Sequence, residues 1–360
     1  MDRSLPCHPR HRPPDARPPA RPGLLRRTAY PGNHRRPRGA SPHATRSLRQ
    51  PPPGRPHLLE EVPRQIPIRP AEVTRVVVAM IKGGLGNQLF AYAAARAYAI
   101  RTRRELWLDD VSGFTRDGYG RAFKLGQFPV AAQLAPPRWR LGNPKCLKHK
   151  AIRSVNKLLP NPLRSYLAEE SDKPEDQLTG FISNRQIVRL NGYWQSEKYF
   201  AERAATIRTE LQPPPFAEGS ADADLEAELS STPSVFIHIR RDRYSPRLGS
   251  GYYDSSITSA LSMLGGCQFF VFGDDLEWAQ QYLDFHGAPV RYISDGSSDE
   301  LRDFRLMAAC RHAIVANSSF SWWAAWLRRN ADKRVWTPNN PGWPLKPASE
   351  WTKVPNRLEH

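Results

Sequence analysis

A polar turn followed by an aromatic segment lies close to residue 320 of this 360-residue chain. The polar side chains of the turn belong to Asn317, Ser318, Ser319 and Ser321, with Phe320 among them. Three tryptophans then occur within five residues, which indicates a buried helix. A helix start offers free backbone N–H groups, which together with hydroxyls suit an anion, most often a phosphate. A plain N-cap before a buried helix is the alternative interpretation.

A glycine-rich segment, Gly83–Gln88, lies between a predicted strand and a predicted helix. Glycine lets a backbone approach a ligand closely, and the polar pair at the helix start favours a binding site. The residues concerned are Gly84, Gly86, Asn87 and Gln88. The spacing fits the dinucleotide fingerprint only loosely, although two acids follow about 20 residues later, as NAD binding would need. A tight strand–helix turn would need no ligand.

A third segment combines a buried strand with cations. The run Val235–Ile239 is largely apolar and leads into Arg240 and Arg241. Because side chains alternate along a strand, His238 and Arg240 share one face. The guanidinium fork matches phosphate oxygens, so the segment indicates an anion site. The alternative is an arginine ion pair at the strand end, with His238 as a hydrogen-bonded core residue.

A fourth segment places carboxylates at the end of a strand. The run Phe269–Phe272 leads through glycine into Asp274 and Asp275, which would bind ribose hydroxyls or base N–H groups, or would cap the next helix. The polar run 295–303 is predicted at the same sheet edge, where such sheets bind ligands. No metal is predicted at Asp222-Ala223-Asp224, and four widely spaced cysteines suggest neither a zinc site nor a disulfide framework.

The hydrophobic pattern indicates the elements that position these segments. Strand, helix and strand alternate over residues 76–108, and a βαβ unit requires a parallel sheet. From residue 235 onwards, five predicted strands alternate with four helices, as in a doubly wound sheet. We therefore predict an α/β fold with two Rossmann-like domains facing a cleft. The predicted boundaries are 73–211 for the first domain, 212–233 for a linker, 234–345 for the second domain and 346–360 for a tail.

The N-terminal segment differs in composition. Residues 1–70 contain 17 of the 35 prolines, 15 arginines and four acids, a formal charge of +11. Proline disrupts helices and strands and apolar residues are sparse, so residues 1–72 are predicted to be disordered. Contact with an anionic membrane, a nucleic-acid arm, or translation from a start upstream of Val73 or Met80 are the alternatives. Only Tyr30 could stack on bases, so no nucleic-acid partner is predicted.

No stretch is long and apolar enough for a transmembrane helix, and no signal-peptide core is visible. A cytoplasmic location is therefore expected, with peripheral contact at the inner membrane face as an extension of it. The irregular region 112–190 contains aromatic residues that would contact a ligand or belong to the core, namely Phe114, Tyr119, Phe123, Phe128 and Trp139.

In their order along the chain, the four segments together resemble the inverting α-1,2-fucosyltransferases of glycosyltransferase family 11, which have the GT-B fold. The matching pieces are Gly83–Phe90, His238–Arg241, Phe270–Asp275 and Asn317–Trp323. The resemblance implies transfer of L-fucose from GDP-fucose to a glycan, typically to the 2-hydroxyl of a terminal galactose, with inversion and without a metal or other cofactor. A bacterial-type enzyme would use a lipid-linked glycan. Acceptor specificity would then lie in region 112–190, where the aromatic side chains would stack on sugar faces or belong to the core. The alternatives are a transferase for another nucleotide sugar or acceptor, and a basic binding protein without catalysis.

The resemblance also implies residue roles. Arg240 would stabilise the leaving diphosphate, His238 would orient the donor, and Asp242 would be an orienting carboxylate. The family pattern His-x-Arg-Arg-Gly-Asp-Tyr is broken here, because Asp242-Arg243-Tyr244 follow Arg241. The candidates for the general base are Asp109, Asp110 and Asp242. The implied donor-binding residues are Gly84, Gly86, Asn87, Gln88, Arg241, Asp274, Asp275, Asn317, Ser318, Ser319, Phe320 and Ser321.

Overall fold

The computed structural model describes residues 74–143, 145–170, 177–241, 246–294, 299–328, 330–342 and 345–359. The N-terminal segment 1–72 and Asp242 lie outside these ranges, so the predictions made for them stay predictions. Within the described ranges, no helix combines the length and the apolar character needed to cross a membrane.

The first half of the chain is built on a parallel five-stranded sheet. Its elements are β1 (Val76–Met80), α1 (Leu85–Thr102), β2 (Glu105–Asp109), β3 (Gln133–Leu134), α2 (Leu147–Leu158), β4 (Tyr166–Ala168), β5 (Ile187–Asn191) and, after two short 3₁₀ turns, α3 (Ala204–Glu210). The strand order is β3-β2-β1-β5-β4. Every residue of the central strand β1 is buried, which accounts for its unbroken apolar sequence.

The second half is built on a parallel six-stranded sheet with the order β12-β11-β10-β6-β8-β9. Its elements are α4 (Ala221–Ser231), β6 (Ser234–Ile239), β7 (Arg247–Leu248), α5 (Ser250–Leu264), β8 (Gln268–Gly273), α6 (Leu276–Tyr282), β9 (Val290–Tyr292), α7 (Glu300–Ala309), β10 (His312–Ile314), α8 (Ser319–Leu327), β11 (Val335–Pro338), β12 (Thr352–Val354) and β13 (Leu358–Glu359). This arrangement confirms the predicted α/β class with two doubly wound sheets.

Two predicted segments are more ordered than their composition suggests. Residues 346–360 were expected to be a tail, but β12 pairs with β11 as an edge strand and β13 pairs with β7. The predicted linker 212–233 contains α4, where Asp222 pairs with Arg302 of α7 at 2.9 Å. Edge strands and charged surface helices bury little apolar area, so hydrophobic periodicity does not reveal them.

The two halves meet through an aromatic cluster on α1 and α8. Trp322, Trp323 and Trp326 are all buried, and the Trp322 and Trp323 rings lie 4.6 and 5.0 Å from the Phe90 ring of α1. Phe200 stacks on Trp323 at 5.3 Å. Aromatic pairs at these separations stabilise beyond the area they bury. The tryptophan segment therefore fixes the position of one half against the other.

Candidate active site

A cavity of about 810 Å³ lies between the two halves, where strands of both sheets reach their carboxyl ends. Parallel sheets bind ligands at this edge because helix N-termini and loop side chains converge there. The first half contributes Gly83–Gln88 and residues 119–122, and the second half contributes His238, Arg240 and Ser318–Phe320. The four predicted segments therefore meet in one place.

Arg240 carries positive charge at the end of β6. Its Nη1 atom donates to Asp274 Oδ2 at 2.7 Å, and both residues line the cavity. Asp274 also accepts from the Arg241 backbone N–H at 2.7 Å. This contact depends on Gly273, whose φ is +146° and whose Cβ would lie 2.1 Å from the Ile239 carbonyl oxygen. Asp274 thus orients Arg240, and Gly273 lets β8 approach β6 closely enough for it to do so.

His238 lines the cavity from within the sheet and is only 5% exposed. Burial, with the Arg240 charge as a smaller cause, lowers the pKa of His238 to about 3. Its Nδ1 atom has no hydrogen-bond partner among the described residues, and its ring lies 5.7 Å from that of Phe320. His238 is therefore neutral near pH 7, and it can orient a ligand by hydrogen bonding but not by charge.

Acid should destabilise the protein through His238. An unfolded histidine has a pKa of about 6.5, so between pH 6.5 and 3 only the unfolded state takes up this proton. The unfolding free energy then falls with falling pH, by at most about 1.4 kcal/mol per pH unit, and has no such contribution above pH 6.5. His238→Gln should flatten this slope in a series of chemical denaturation measurements at different pH values. If the unfolding free energy of His238→Gln depended on pH as steeply as that of wild type, His238 would not be the group whose lowered pKa causes the loss of stability in acid.

The segment at the start of α1 holds the two halves in register. Asn87 Oδ1 accepts from Gln195 Nε2 at 2.7 Å and from Ser319 Oγ at 2.9 Å, so one side chain links the first half to α8. A Cβ on Gly86 would lie 2.4 Å from the Ser319 carbonyl carbon. A Cβ on Gly84 would meet nothing within 4 Å, and its φ of −69° is open to any residue. Gly86 is thus required by packing, while Gly84 borders open space in the cavity.

Gln88 organises a loop rather than facing a ligand freely. The buried Nε2 atom donates to the Gly83 and Ala122 carbonyls at 2.9 and 2.8 Å, and Oε1 accepts from the Lys124 N–H at 2.9 Å. This loop brings Lys124 to Glu300 of α7, and their charged atoms are 2.7 Å apart. Gln88 lines the cavity and its hydrogen bonds also make it a positioning residue, while its predicted donor-binding role stays a prediction.

Arg241 and Asp275 lie outside the cavity lining. The Arg241 guanidinium donates to the Leu248 carbonyl at 2.8 Å, pairs with Glu359 at 3.1 Å and lies 4.0 Å from the centre of the Trp278 ring. Asp275 is the N-cap of α6 and accepts from the Trp278 N–H at 3.0 Å. Arg241 therefore anchors the C-terminal strand and Asp275 caps a helix, and their predicted donor-binding roles stay predictions that the cavity lining does not support.

Asn317 and Ser321 also lie behind the cavity wall. Asn317 is fully buried and donates to the Pro246 and Pro341 carbonyls at 2.9 and 3.2 Å. Ser321 donates to the Ser318 carbonyl at 3.3 Å within the first turn of α8. Of the predicted turn residues, Ser318, Ser319 and Phe320 line the cavity, and Ser318 is the N-cap of α8. The turn therefore caps a buried helix, as the alternative interpretation expected, and it also faces the cavity, while its binding of a phosphate stays a prediction.

Two candidates for the general base are structural. The Asp109 carboxylate is buried and accepts from the backbone N–H groups of Ser112 and Leu141 at 2.9 and 3.1 Å. Asp110 pairs with Arg140 at 2.9 Å, and neither aspartate lines the cavity. The remaining candidate, Asp242, lies outside the described residues. The described contacts of Asp109 and Asp110 are thus structural, and their assignment as bases stays a prediction that the cavity lining does not support.

Several lining residues had no signal of their own in the sequence. They come from irregular segments of the first half and from the N-terminus of α7, and they are Arg121, Lys124, Tyr193, Gln195, Asp299, Glu300 and Asp303. The last three belong to the polar run 295–303, which was predicted at this sheet edge as a whole, and residues 295–298 of that run lie outside the described residues. Tyr119 is 69% exposed and lines the cavity, whereas Phe114, Phe123 and Phe128 pack into the core. Within the described ranges, no cluster of three or more His, Cys, Asp or Glu residues could hold a metal ion.

Two parallel α/β sheets with a cavity between their carboxyl edges are the arrangement of the GT-B class of glycosyltransferases. The family model described as Glycosyl transferase family 11 matches residues 143–350. The alpha-1,2-colitosyltransferase of Escherichia coli is 30% identical over 269 residues, which cover 70% of this chain and 88% of that protein. The chain belongs to glycosyl transferase family 11.

Other similar proteins are also transferases by name. The O-antigen biosynthesis glycosyltransferase WbnK of Escherichia coli is 30% identical over 72% of this chain and 92% of its own length. Galactoside alpha-(1,2)-fucosyltransferase 2 of Rattus norvegicus is 23% identical over 59% and 66%. The crystal structure of NodZ alpha-1,6-fucosyltransferase soaked with GDP-fucose aligns with a TM-score of 0.42 at 16% identity, over 71% of this chain and 93% of that one.

Proposed function

We propose that this glycosyltransferase moves L-fucose from GDP-fucose to the 2-hydroxyl of a galactose residue in a glycan, with inversion and without a metal. The proposal rests above all on the convergence of Arg240 and the N-terminus of α8 in the cavity between the two sheets. A guanidinium and a helix N-terminus both favour a dianionic diphosphate. The names of both similar proteins support the α-1,2 linkage, and the name of the rat protein supports fucose as the sugar and a galactoside as the acceptor.

The bond to be broken joins the anomeric carbon of the donor to a diphosphate oxygen. As it lengthens, negative charge grows on the diphosphate while positive charge grows on the sugar. Arg240, held by Asp274 at 2.7 Å, would stabilise the departing charge, and the first turn of α8 would add backbone donors. These groups are already in place before the reaction, so little reorganisation is needed as the charge develops.

The acceptor hydroxyl would attack the anomeric carbon from the side opposite the diphosphate, which inverts the configuration. Its oxygen forms the new bond, its proton is lost, and GDP leaves with the electron pair of the old bond. Tyr119 and Arg121 of the first half line the cavity and would contact the acceptor. Asp242 stays the sequence-based candidate for receiving the proton.

A second candidate donor is a nucleotide-linked colitose, because the similar Escherichia coli protein named for that sugar reaches 30% identity. Colitose differs from L-fucose by the loss of one hydroxyl, so the two donors would share their nucleotide contacts. A site that hydrogen-bonds the extra hydroxyl discriminates strongly against the sugar that lacks it. Donor choice is therefore a measurable property of the sugar end of the cavity.

A donor panel tests this proposal. Purified protein in EDTA would be given lactose or a lipid-linked glycan ending in galactose, with GDP-fucose, GDP-mannose, UDP-galactose or the colitose donor in separate reactions. We expect GDP-fucose to give the highest kcat/KM, by about tenfold or more over the colitose donor. A preference for the colitose donor would replace the first candidate with the second. Activity only after Mg²⁺ or Mn²⁺ is added would refute the metal-free mechanism.

A further inference from the structure

Helix α2 exposes an apolar stripe to solvent. Leu147 and Leu158 are 85% and 87% exposed, and Val155 is 54% exposed. At 3.6 residues per turn these three side chains and Ala151 fall within one sector of about 80°. Exposed leucines are common singly, but a stripe along three turns of one helix indicates a binding surface.

The helix is nevertheless firmly attached to the first sheet by its other face. His149 and Asn156 are buried, and Ile152 packs against Tyr166 of β4 and its neighbours. Asn156 Oδ1 accepts from the backbone N–H groups of Ser165 and Tyr166 at 2.7 and 3.0 Å. The exposed stripe therefore has a fixed orientation, and no other described element covers it.

The stripe lies in a strongly basic part of the chain. No aspartate or glutamate occurs between Asp117 and Glu169, whereas ten lysines and arginines do. Four of them are on α2, and three of these flank the apolar sector, namely Lys148 on one side and Lys150 and Lys157 on the other. An apolar stripe edged with cations is typical of a helix that lies in the interface of an anionic bilayer.

We propose that the α2 surface, made of Leu147, Ala151, Val155, Leu158 and the three flanking lysines, binds an anionic lipid membrane with the helix axis parallel to the bilayer. The leucines would enter the boundary between headgroups and acyl chains, and the cations would pair with lipid phosphates. A nucleic acid would use the cations alone and would leave the leucines in water, so the lipid surface fits better.

A chain of hydrogen bonds connects the residues under α2 with the edge of the cavity. The Tyr166 hydroxyl, under α2, accepts from Asn191 Nδ2 at 2.8 Å, and Asn191 Oδ1 accepts from Lys82 Nζ at 2.9 Å. Lys82 directly precedes the cavity residue Gly83. The lipid-binding surface thus belongs to the half proposed to receive the acceptor, which suits a glycan held at the membrane by a lipid.

Vesicle co-sedimentation of the full chain tests the proposal. Wild type should bind phosphatidylcholine vesicles containing about one third phosphatidylglycerol, and bind pure phosphatidylcholine far less. The double variant Leu147→Gln, Leu158→Gln should bind the anionic vesicles about tenfold more weakly, or worse. The matched control is Met263→Gln with Tyr282→Gln, which alters exposed apolar residues of α5 and α6 and should bind like wild type. All variants keep the N-terminal arginines, so a difference in vesicle binding between wild type and the leucine variant measures the contribution of α2.

A second variant separates charge from burial. Lys148→Gln, Lys150→Gln and Lys157→Gln together should weaken binding and lower its dependence on salt. Equal binding by the leucine variant and wild type would overturn the proposal, because the membrane contact would then lie elsewhere. Binding to a duplex oligonucleotide that only the lysine variant loses, without binding to vesicles, would overturn it in favour of nucleic acid. Unchanged thermal unfolding of each variant shows that folding does not cause the effects.

Discussion

Replacing Arg240 with alanine is expected to lower kcat by about 10²-fold or more, with a smaller change in KM. The reason is that Arg240 would act mainly on charge that develops as the diphosphate leaves, and such groups affect kcat more than substrate binding. Steady-state kinetics with GDP-fucose and lactose measure both constants. Arg240→Lys keeps the charge but loses the planar fork, so it should fall between alanine and wild type.

The matched control for this variant is Arg291→Ala. Arg291 pairs with Glu228 at 2.7 Å, and its side chain is 44% exposed against 38% for Arg240, but it lies outside the cavity lining. Surface pairs of this kind contribute little, so Arg291→Ala should leave kcat within about twofold of wild type. A kcat for Arg240→Ala that equals that of Arg291→Ala would remove Arg240 from the mechanism.

The largest effect on stability is expected from Gly86→Ala. Alanine is normally preferred in a helix by up to about 1 kcal/mol, so propensity alone predicts stabilisation. Here the added Cβ would lie 2.4 Å from the Ser319 carbonyl carbon and 2.6 Å from the Phe320 nitrogen, so α1 and α8 would have to separate. Overpacking of this kind costs about 1–3 kcal/mol. A decrease in the unfolding free energy would therefore indicate the close contact between α1 and α8, and an increase would indicate that helix propensity dominates. Chemical denaturation measures this change.

Two further glycine variants serve as controls for Gly86→Ala. A Cβ on Gly118 or on Gly84 would meet nothing within 4 Å, and neither residue has a positive φ. Both alanine variants should unfold like wild type in denaturant titrations. Gly84→Ala should in addition weaken GDP binding, because its methyl group would enter the cavity. If all three alanine variants lost the same amount of unfolding free energy, the contact between α1 and α8 would not be the cause of the lower stability of Gly86→Ala.

The sequence was sufficient to predict the elements that carry an apolar signal. The buried strands β1, β6 and β8 are largely apolar in sequence, and the glycines and polar residues at their carboxyl ends mark the edge where the cavity lies. Parallel topology then brings those strand ends together without further information. For this reason the cavity, its two contributing halves and residues such as Arg240 could be anticipated from local patterns.

What the sequence could not supply is the direction in which each polar side chain points. Asp274 and Asp275 are neighbours of the same type, yet one pairs with Arg240 at the cavity and the other caps α6. Arg241 is engaged by Glu359, 118 residues away along the chain. Such partners are set by tertiary packing, which neither spacing nor periodicity records.

The glycine segment shows the same limit. Gly84 and Gly86 have equal standing in the sequence, and both were interpreted as making room for a ligand. The structure gives Gly86 a different reason, since the neighbour it admits is the backbone of α8. Residues of the loop held by Gln88 had no pattern at all, because their place at the cavity depends on hydrogen bonds to one distant side chain.

The central claim is that the cavity between the two sheets transfers fucose with a defined linkage and without a metal. It is tested most directly by incubating the full chain with GDP-fucose and lactose in EDTA and determining the product structure by NMR. We expect an α-linked fucose on the 2-hydroxyl of the galactose residue, and no such product from Arg240→Ala in the same time. A β-linked product, another attachment site, or equal yield from Arg240→Ala would contradict the account.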